Sequence, residues 1–195
     1  MMIPRLVVAS QNPDKVREVE ALLAPTGLAD EIVQGLDWSE VEETGETLEE
    51  NARLKAEAVT EVTGLPALAD DTGLEVPALG GAPGVRSSRY AGSEATYADN
   101  VRKLLVEMTG VEDRRARFRT VVALAFPDGA LMLAEGTVEG EIIAEPRGSG
   151  GFGYDPVFEV GGRTLAEMTP EEKNRLSHRA RAIENLVEAL GGPWR

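Results

Sequence analysis

The 195-residue sequence predicts a mixed α/β fold. Three observations carry this expectation. Apolar runs of strand length alternate with amphipathic helical patterns, helix caps are legible at Asn12, Thr47 and Thr169, and Phe118 to Phe126 and Leu131 to Ala134 flank a Pro127-Asp128-Gly129 turn. Interleaved helices favour parallel strand neighbours and the hairpin adds an antiparallel pair, so a mixed β-sheet flanked by helices on both sides is expected.

Leu6-Val7-Val8-Ala9 reads as the first strand, breaking into Ser10-Gln11-Asn12-Pro13-Asp14-Lys15. Asn12 suits a helix cap, and Pro13 suits the first helical position, where its fixed φ fits and its missing N–H leaves nothing unpaired. Val16, Val19, Leu22 and Leu23 then recur at helical spacing. Ile32 and Val33 are expected to begin a short strand before the acidic stretch from Asp37 to Glu46. Thr47-Leu48-Glu49-Glu50 has capping-box spacing and predicts a helix from Leu48 to Val62, closed by Gly64. Leu65 to Ala69 reads as a short buried strand, followed by Asp70-Asp71-Thr72-Gly73 and a loop rich in Gly and Pro through Gly84. Val101, Leu104, Leu105 and Met108 mark a third helix, and further strands are expected at Thr137 to Ile143 and Val157 to Val160. Thr169-Pro170-Glu171-Glu172 combines a cap, an N1 proline and an N3 glutamate, and a last helix carries Ile183, Val187 and Leu190. No repeat or linker interrupts the chain, so residues 1–195 are expected to form one domain.

Composition excludes several chemistries. With no cysteine, disulfides, thiolate catalysis and Cys-ligated metals are ruled out, and one histidine cannot build a multi-His zinc site within one chain. Any metal is expected to be hard and oxygen-bound, such as Mg²⁺. A net charge of −14 argues against non-specific binding of a nucleic acid backbone. No apolar run is long enough to span a membrane and the start is too short for a secretion signal, so a cytoplasmic location is expected.

Polar residues that break the patterns are the candidates for chemistry. A helix N-terminus beside Lys15 is an anion site in outline, or else an ordinary capped turn. Leu48, Ala52, Val59 and Val62 share one helical face, and Lys55 falls in the middle of it. Either its stem snorkels past apolar neighbours or its ammonium meets an anion or a carboxylate. Asp70-Asp71-Thr72-Gly73 sits at the end of a predicted strand, where open α/β sheets bind ligands and where an Asp-rich turn is equally at home. Glu42 or Glu43, together with Asp71, could hold a Mg²⁺ that completes its shell with water and phosphate oxygens. Gly148 to Gly153 satisfies G-x-G-x-x-G but runs into Asp155-Pro156 and a strand, so the dinucleotide-binding reading fails, and no P-loop pattern occurs. What is left is a flexible backbone carrying two aromatics, able to stack on a planar base, or a plain surface loop. His178 points about 140° from the apolar face of the last helix, which argues against a core histidine.

Taken together, Ser10-x-Asn12-x-x-Lys15, Glu42-Glu43-Thr44-Gly45 with Asn51-Ala52 and Lys55, Ala69-Asp70-Asp71-Thr72-Gly73-Leu74, Gly80-Gly81-Ala82-Pro83-Gly84, Phe152-Gly153-Tyr154-Asp155-Pro156 and Ser177-His178-Arg179 resemble the noncanonical purine nucleoside triphosphate pyrophosphatases, the inosine triphosphatase or Ham1 family. The motifs run in order through nearly the whole chain. The resemblance implies an elongated mixed sheet with two lobes around a central cleft, a Mg²⁺ cofactor, a homodimer, and hydrolysis of ITP, dITP and XTP to the monophosphate and pyrophosphate. It implies that the segment Ser10, Gln11, Asn12, Pro13, Asp14 and Lys15, with Lys55 and Lys173, holds the triphosphate. It further implies that Asp71 with Glu42 or Glu43 binds metal, that Asp71 accepts a proton from the attacking water, and that Thr72 touches substrate. Phe152, Gly153, Tyr154 and Asp155 are implied to line the base pocket, with Tyr154 stacking, while His178 and Arg179 donate to the 6-oxo group. Two other readings compete: a related pyrophosphatase of the Maf type acting on modified pyrimidine nucleotides, and a nucleotide-binding module without catalysis.

Overall fold

A computed structural model describes residues 2–191. It contains five α-helices and an eight-stranded mixed sheet among these residues. The strands are β1 (Ile3–Val8), β2 (Ala29–Val33), β3 (Ala67–Glu75), β4 (Pro83–Gly84), β5 (Arg115–Ala125), β6 (Leu131–Ile142), β7 (Phe158–Val160) and β8 (Arg163–Thr164). The helices are α1 (Pro13–Leu23), α2 (Leu48–Thr63), α3 (Tyr97–Glu107), α4 (Pro170–Asn174) and α5 (His178–Ala189). The sheet order is β2-β1-β3-β5-β6-β7-β8, with β4 paired to β3. β1 runs parallel to β2 and β3, whereas β3/β4, β6/β7 and β7/β8 are antiparallel. No helix among the described residues is long and apolar enough to cross a membrane.

Local chemistry explains the helix ends. The Asn12 side chain accepts from the Asp14 and Lys15 amides, and Pro13 opens α1. Thr47 and Glu50 form the capping box of α2, and Gly64 closes that helix in the left-handed region at φ 67°. Thr169 and Glu172 repeat the box for α4.

Several expectations need correction. β2 ends at Val33, where the pattern placed a strand's beginning. The two strands expected on either side of Glu135-Gly136 are one continuous β6. Gly136 is no breaker there: a Cβ on it would lie 2.3 Å from the His178 carbonyl oxygen and 2.4 Å from the Ala182 amide, so the glycine lets α5 lie directly on the strand. Val62 was placed on the buried face of α2 but is 65% exposed, because the contact face of the helix ends at Val59 and Thr60. β3 continues through Asp70-Asp71-Thr72-Gly73 to Glu75, so the acidic pair lies inside a buried strand and not in a turn after it.

The chain divides into two compact units, whose boundaries fall within β3, β5 and β6 and at the start of α5. The first comprises Met1–Asp71, Thr120–Gly136 and His178–Arg195, and its core gathers Leu6, Val8, Val19, Leu68, Val122, Leu124, Ile183 and Leu186. The second comprises Thr72–Arg119 and Thr137–Ser177, with a core that includes Leu74, Leu104, Phe118, Val138, Phe158 and Leu165.

Candidate active site

Within the first unit, two neighbouring carboxylates of β3 organise the charged groups. Successive residues of a strand face opposite ways, so Asp70 and Asp71 meet different partners. Asp70 Oδ2 accepts from Arg179 Nε at 3.3 Å and Nη2 at 3.1 Å and lies 3.3 Å from Lys15 Nζ. Arg179 Nη1 donates to Glu18 Oε2 at 2.8 Å. Asp71 Oδ1 accepts from Lys55 Nζ at 3.1 Å, and Asp71 Oδ2 accepts from Asn51 Nδ2 at 3.3 Å. Lys55 also donates to Glu43 Oε1 at 2.6 Å. The lysine in the apolar stripe of α2 is thus explained: its ammonium joins two carboxylates, as a buried cation requires.

The two aspartates are tuned in opposite directions. Burial alone would raise the Asp70 carboxyl, but the charges of Arg179, Lys15 and Lys55 outweigh it and hold the group well below the usual carboxylate range. Burial also raises Asp71, and there Lys55 and Lys15 do not fully offset it. Lys15 is lowered, first by burial and then by repulsion from Lys55 and Arg179, although Asp70 and Asp71 oppose the shift. Lys55 shifts upward because the attraction of Asp71, Glu43 and Asp70 overcomes its burial. A carboxylate kept easier to protonate beside one kept firmly ionised is an arrangement suited to proton transfer next to a fixed charge.

The α1 entry is more closed than its sequence implies. Asn12 Oδ1 occupies the Asp14 amide at 2.9 Å and the Lys15 amide at 3.4 Å, and Ser10 Oγ accepts from the Asn12 amide at 3.2 Å. Gln11 is exposed and donates to the Trp38 carbonyl, while Asp14 pairs with Arg17. Of the two loop glutamates, Glu43 reaches Lys55 and Glu42 is exposed. Donors for a hard cation are therefore oxygens of Asp71 and Glu43, which share one ammonium. No group of three or more His, Cys, Asp or Glu residues that could hold a metal gathers among the described residues. Such a pair fits Mg²⁺, which binds through one or two carboxylates and keeps water or phosphate oxygens elsewhere.

At the start of α5, His178 is 3% exposed, contrary to the expectation of a histidine turned away from the core. The helical wheel considered only the face packed on Ile183, whereas Thr120 of β5 meets the ring from another element, with Oγ1 2.6 Å from Nδ1.

In the second unit, Lys173 Nζ bonds Asp155 Oδ2 at 2.8 Å and lies 4.8 Å from the centroid of the Phe152 ring. The Phe152 amide donates to the same Asp155 oxygen at 2.9 Å. Gly151, at φ 68°, is required here, since a Cβ would fall 2.0 Å from Asp155 Oδ2. Phe152 and Tyr97 lie 6.0 Å apart and line a cavity of about 540 Å³ with Val101, Leu105 and Pro156. Tyr154 departs from its expected role: its ring is buried in the core and its hydroxyl donates to the Ser87 carbonyl at 2.9 Å, which leaves Phe152 as the half-buried aromatic of this loop. Thr72 and Gly153 are partly exposed members of this unit.

The structure thus joins Lys15, Lys55, Asp71, Glu43 and Arg179 in the first unit, and Lys173, Phe152 and Asp155 in the second. Sequence reasoning assigned no role to Asn51, Glu18 or Thr120. Asn51 had a signal, being a second polar residue on the apolar stripe of α2; it is fully buried, and its Oδ1 accepts from the Gly45 amide at 2.8 Å. Glu18 had none, since its partner lies 161 positions away.

The Ham1 family model matches residues 6–189. The chain is 53% identical over 192 residues to a dITP/XTP pyrophosphatase of Symbiobacterium thermophilum, covering 95% of this chain and 94% of that protein. It is 51% identical over 189 residues to a dITP/XTP pyrophosphatase of Thermus thermophilus, covering 95% and 91%. Among solved structures, a HAM1 protein from Coxiella burnetii superposes with a TM-score of 0.82 at 44% identity, covering 96% of this chain and 98% of that one. The Ham1 protein of Staphylococcus aureus gives 0.82 at 41% identity, covering 95% and 97%.

Proposed function

The chain belongs to the Ham1 family, and from that premise we propose that it hydrolyses noncanonical purine nucleoside triphosphates, ITP, dITP and XTP, to the monophosphate and pyrophosphate. The observation that carries this reading is the convergence of Lys55, Glu43 and Asp71 beside the Lys15–Asp70 pair.

Asp71 and Glu43 would hold Mg²⁺ in this reading, and the ion would supply neutralisation of phosphate charge and acidification of water. Asp71 orients the water for attack at the α-phosphorus and, second to that, accepts its proton, since a neighbouring cation favours its ionised form. Lys15 and Lys55 face the charge that develops on the departing pyrophosphate, and Ser10 and Asn12 meet the polyphosphate at the start of α1. Asn51 holds the Asp71 carboxylate and the Gly45 turn in register. Lys173 binds phosphate, Thr72 contacts substrate, and Phe152 stacks on the base.

His178 and Arg179 donate to the 6-oxo oxygen, and Arg179 does so by yielding part of its hold on Asp70 or Glu18. Adenine presents an amino group at that position and is refused, because two opposed donors leave buried polar groups unpaired. The enzyme works in the cytoplasm as a homodimer on a free nucleotide, without a nucleic acid partner. The test is product identification after incubation with Mg²⁺ and a nucleotide panel. IMP and pyrophosphate from ITP are expected. Activity confined to modified pyrimidine nucleotides, binding without turnover, or IDP and phosphate as products would each contradict the assignment.

A further inference from the structure

We propose that Asp70 is a positioning residue: one of its carboxylate oxygens holds both Lys15 and Arg179, and so sets the phosphate-binding and base-reading cations relative to each other. Those two ligand roles rest on the function proposed above; the shared hold on the cations stands on geometry alone. Asp70 Oδ2 accepts from Arg179 Nε at 3.3 Å and from Nη2 at 3.1 Å, and Lys15 Nζ lies 3.3 Å from the same oxygen. The main-chain carbonyl of Asp70 also accepts from Lys15 Nζ, at 3.5 Å. Ammonium and guanidinium groups only donate and an ionised carboxylate only accepts, so the sense of every contact is fixed.

Local structure opposes this gathering of positive charge. Lys15 stands in the first turn of α1 and Arg179 in the first turn of α5, the end of a helix where the backbone dipole disfavours a cation. The charge of Arg179 also works against the charged form of Lys15. A carboxylate between them offsets both penalties. It is delivered there because β3 pairs with β1, the strand that leads into α1. Glu18 holds the other end of the guanidinium at 2.8 Å, so loss of the Asp70 charge leaves Arg179 with an anion and takes from Lys15 the carboxylate that holds it. Asp70 and Arg179 are buried, whereas 19% of the Lys15 side chain is exposed, so the ammonium is the member of the trio that an incoming anion reaches first. Asp70 thus serves the reaction through the cations it holds.

Labelling with an amine reagent, read lysine by lysine by mass spectrometry, tests the hold on Lys15 without any substrate. In the wild type Lys15 is expected to react more slowly than Lys103, whose side chain is 42% exposed, and in Asp70→Asn it is expected to react several-fold faster than in the wild type. Equal rates at Lys15 in the two proteins would overturn the proposal, as would a wild-type Lys15 that reacts as fast as Lys103. Calorimetry with Mg²⁺ present tests the consequence: Asp70→Asn is expected to bind inorganic pyrophosphate and IMP each about tenfold or more weakly than the wild type. On a Lys15→Met background the same change is expected to leave pyrophosphate affinity within about twofold, because Asp70 acts on that anion through Lys15. A role confined to stability leaves both affinities unchanged, and tighter pyrophosphate binding would make Asp70 a competitor for Lys15; either result contradicts the proposal. If Asp70→Asn does not fold, the double variant Asp70→Asn/Arg179→Gln, which removes one charge of each sign, takes its place in the labelling and pyrophosphate measurements. Failure of the wild type to release pyrophosphate from ITP would remove the assigned substrate, while the labelling rates still report whether Asp70 holds Lys15.

Discussion

The first unit buries a network of charge, whereas the second buries the Lys173–Asp155 ion pair beside the Phe152 ring. In the first, Glu18, Arg179, Asp70 and Lys15 form a chain of alternating sign, and Lys55 joins Asp71 to Glu43. In the second, Lys173 and Asp155 pair beside Phe152, and Phe118 packs on Phe158 with ring centroids 4.6 Å apart. Desolvating charge is costly, and proteins keep such networks where a task needs fixed dipoles and tuned protonation. In the proposed reading the charged network of the first unit suits the handling of phosphate and proton, and the aromatic surface at Phe152 in the second suits contact with a planar base.

The largest expected effect tests the first half of that contrast. Asp71→Asn is expected to lower kcat for ITP by about 10²- to 10⁴-fold in steady-state assays, while thermal unfolding stays close to wild type. Comparable loss of stability would make Asp71 a structural residue. Next, Arg179→Met leaves Asp70 and Glu18 short of a cation, and urea titration should show a loss of about 3–5 kcal/mol. Lys173→Met should cost less, because Asp155 keeps the Phe152 amide at 2.9 Å. Equal losses would mean that the two units carry charge alike. A smaller change is expected from Phe152→Leu: about a tenfold rise in KM with kcat less affected, the size of one lost stacking contact.

The smallest expected effect is a dependence of stability on pH. Asp70 has a folded value below its unfolded value of about 3.9, so its ionised form stabilises the fold above that pH and the contribution fades as pH falls further. Asp71 has the opposite sign: its folded value is raised, so its stabilising contribution is present below about pH 4 and is lost as pH rises through the folded value. With divalent ions chelated, Asp71→Asn should therefore match or exceed wild-type stability at neutral pH. That advantage should shrink to nothing in acid, read from denaturant midpoints across pH.

Much of this was legible in the residues. The Thr47–Glu50 capping box, the Asn12-Pro13 entry, the turn at Pro127-Asp128-Gly129 and the displaced Lys55 all express local rules, and the structure follows them. What could not be read depends on partners far along the chain. Asp70 and Asp71 look like turn residues until Arg179, 109 positions away, and Lys55, 16 positions away, make their burial tolerable inside β3. His178 looks exposed on its own helix because the wheel does not know of Thr120, 58 positions earlier. Tyr154 reads as a stacking aromatic, yet a carbonyl at Ser87 satisfies its hydroxyl and lets the ring enter the core. In each case a polar group was misplaced because its compensation was not local.

The central claim is that water attacks the α-phosphorus beside Asp71. Hydrolysis of ITP in water enriched with heavy oxygen, followed by mass analysis of both products, tests it most directly. The label is expected in IMP and absent from pyrophosphate. Label in the pyrophosphate would place the attack at the β-phosphorus and contradict it.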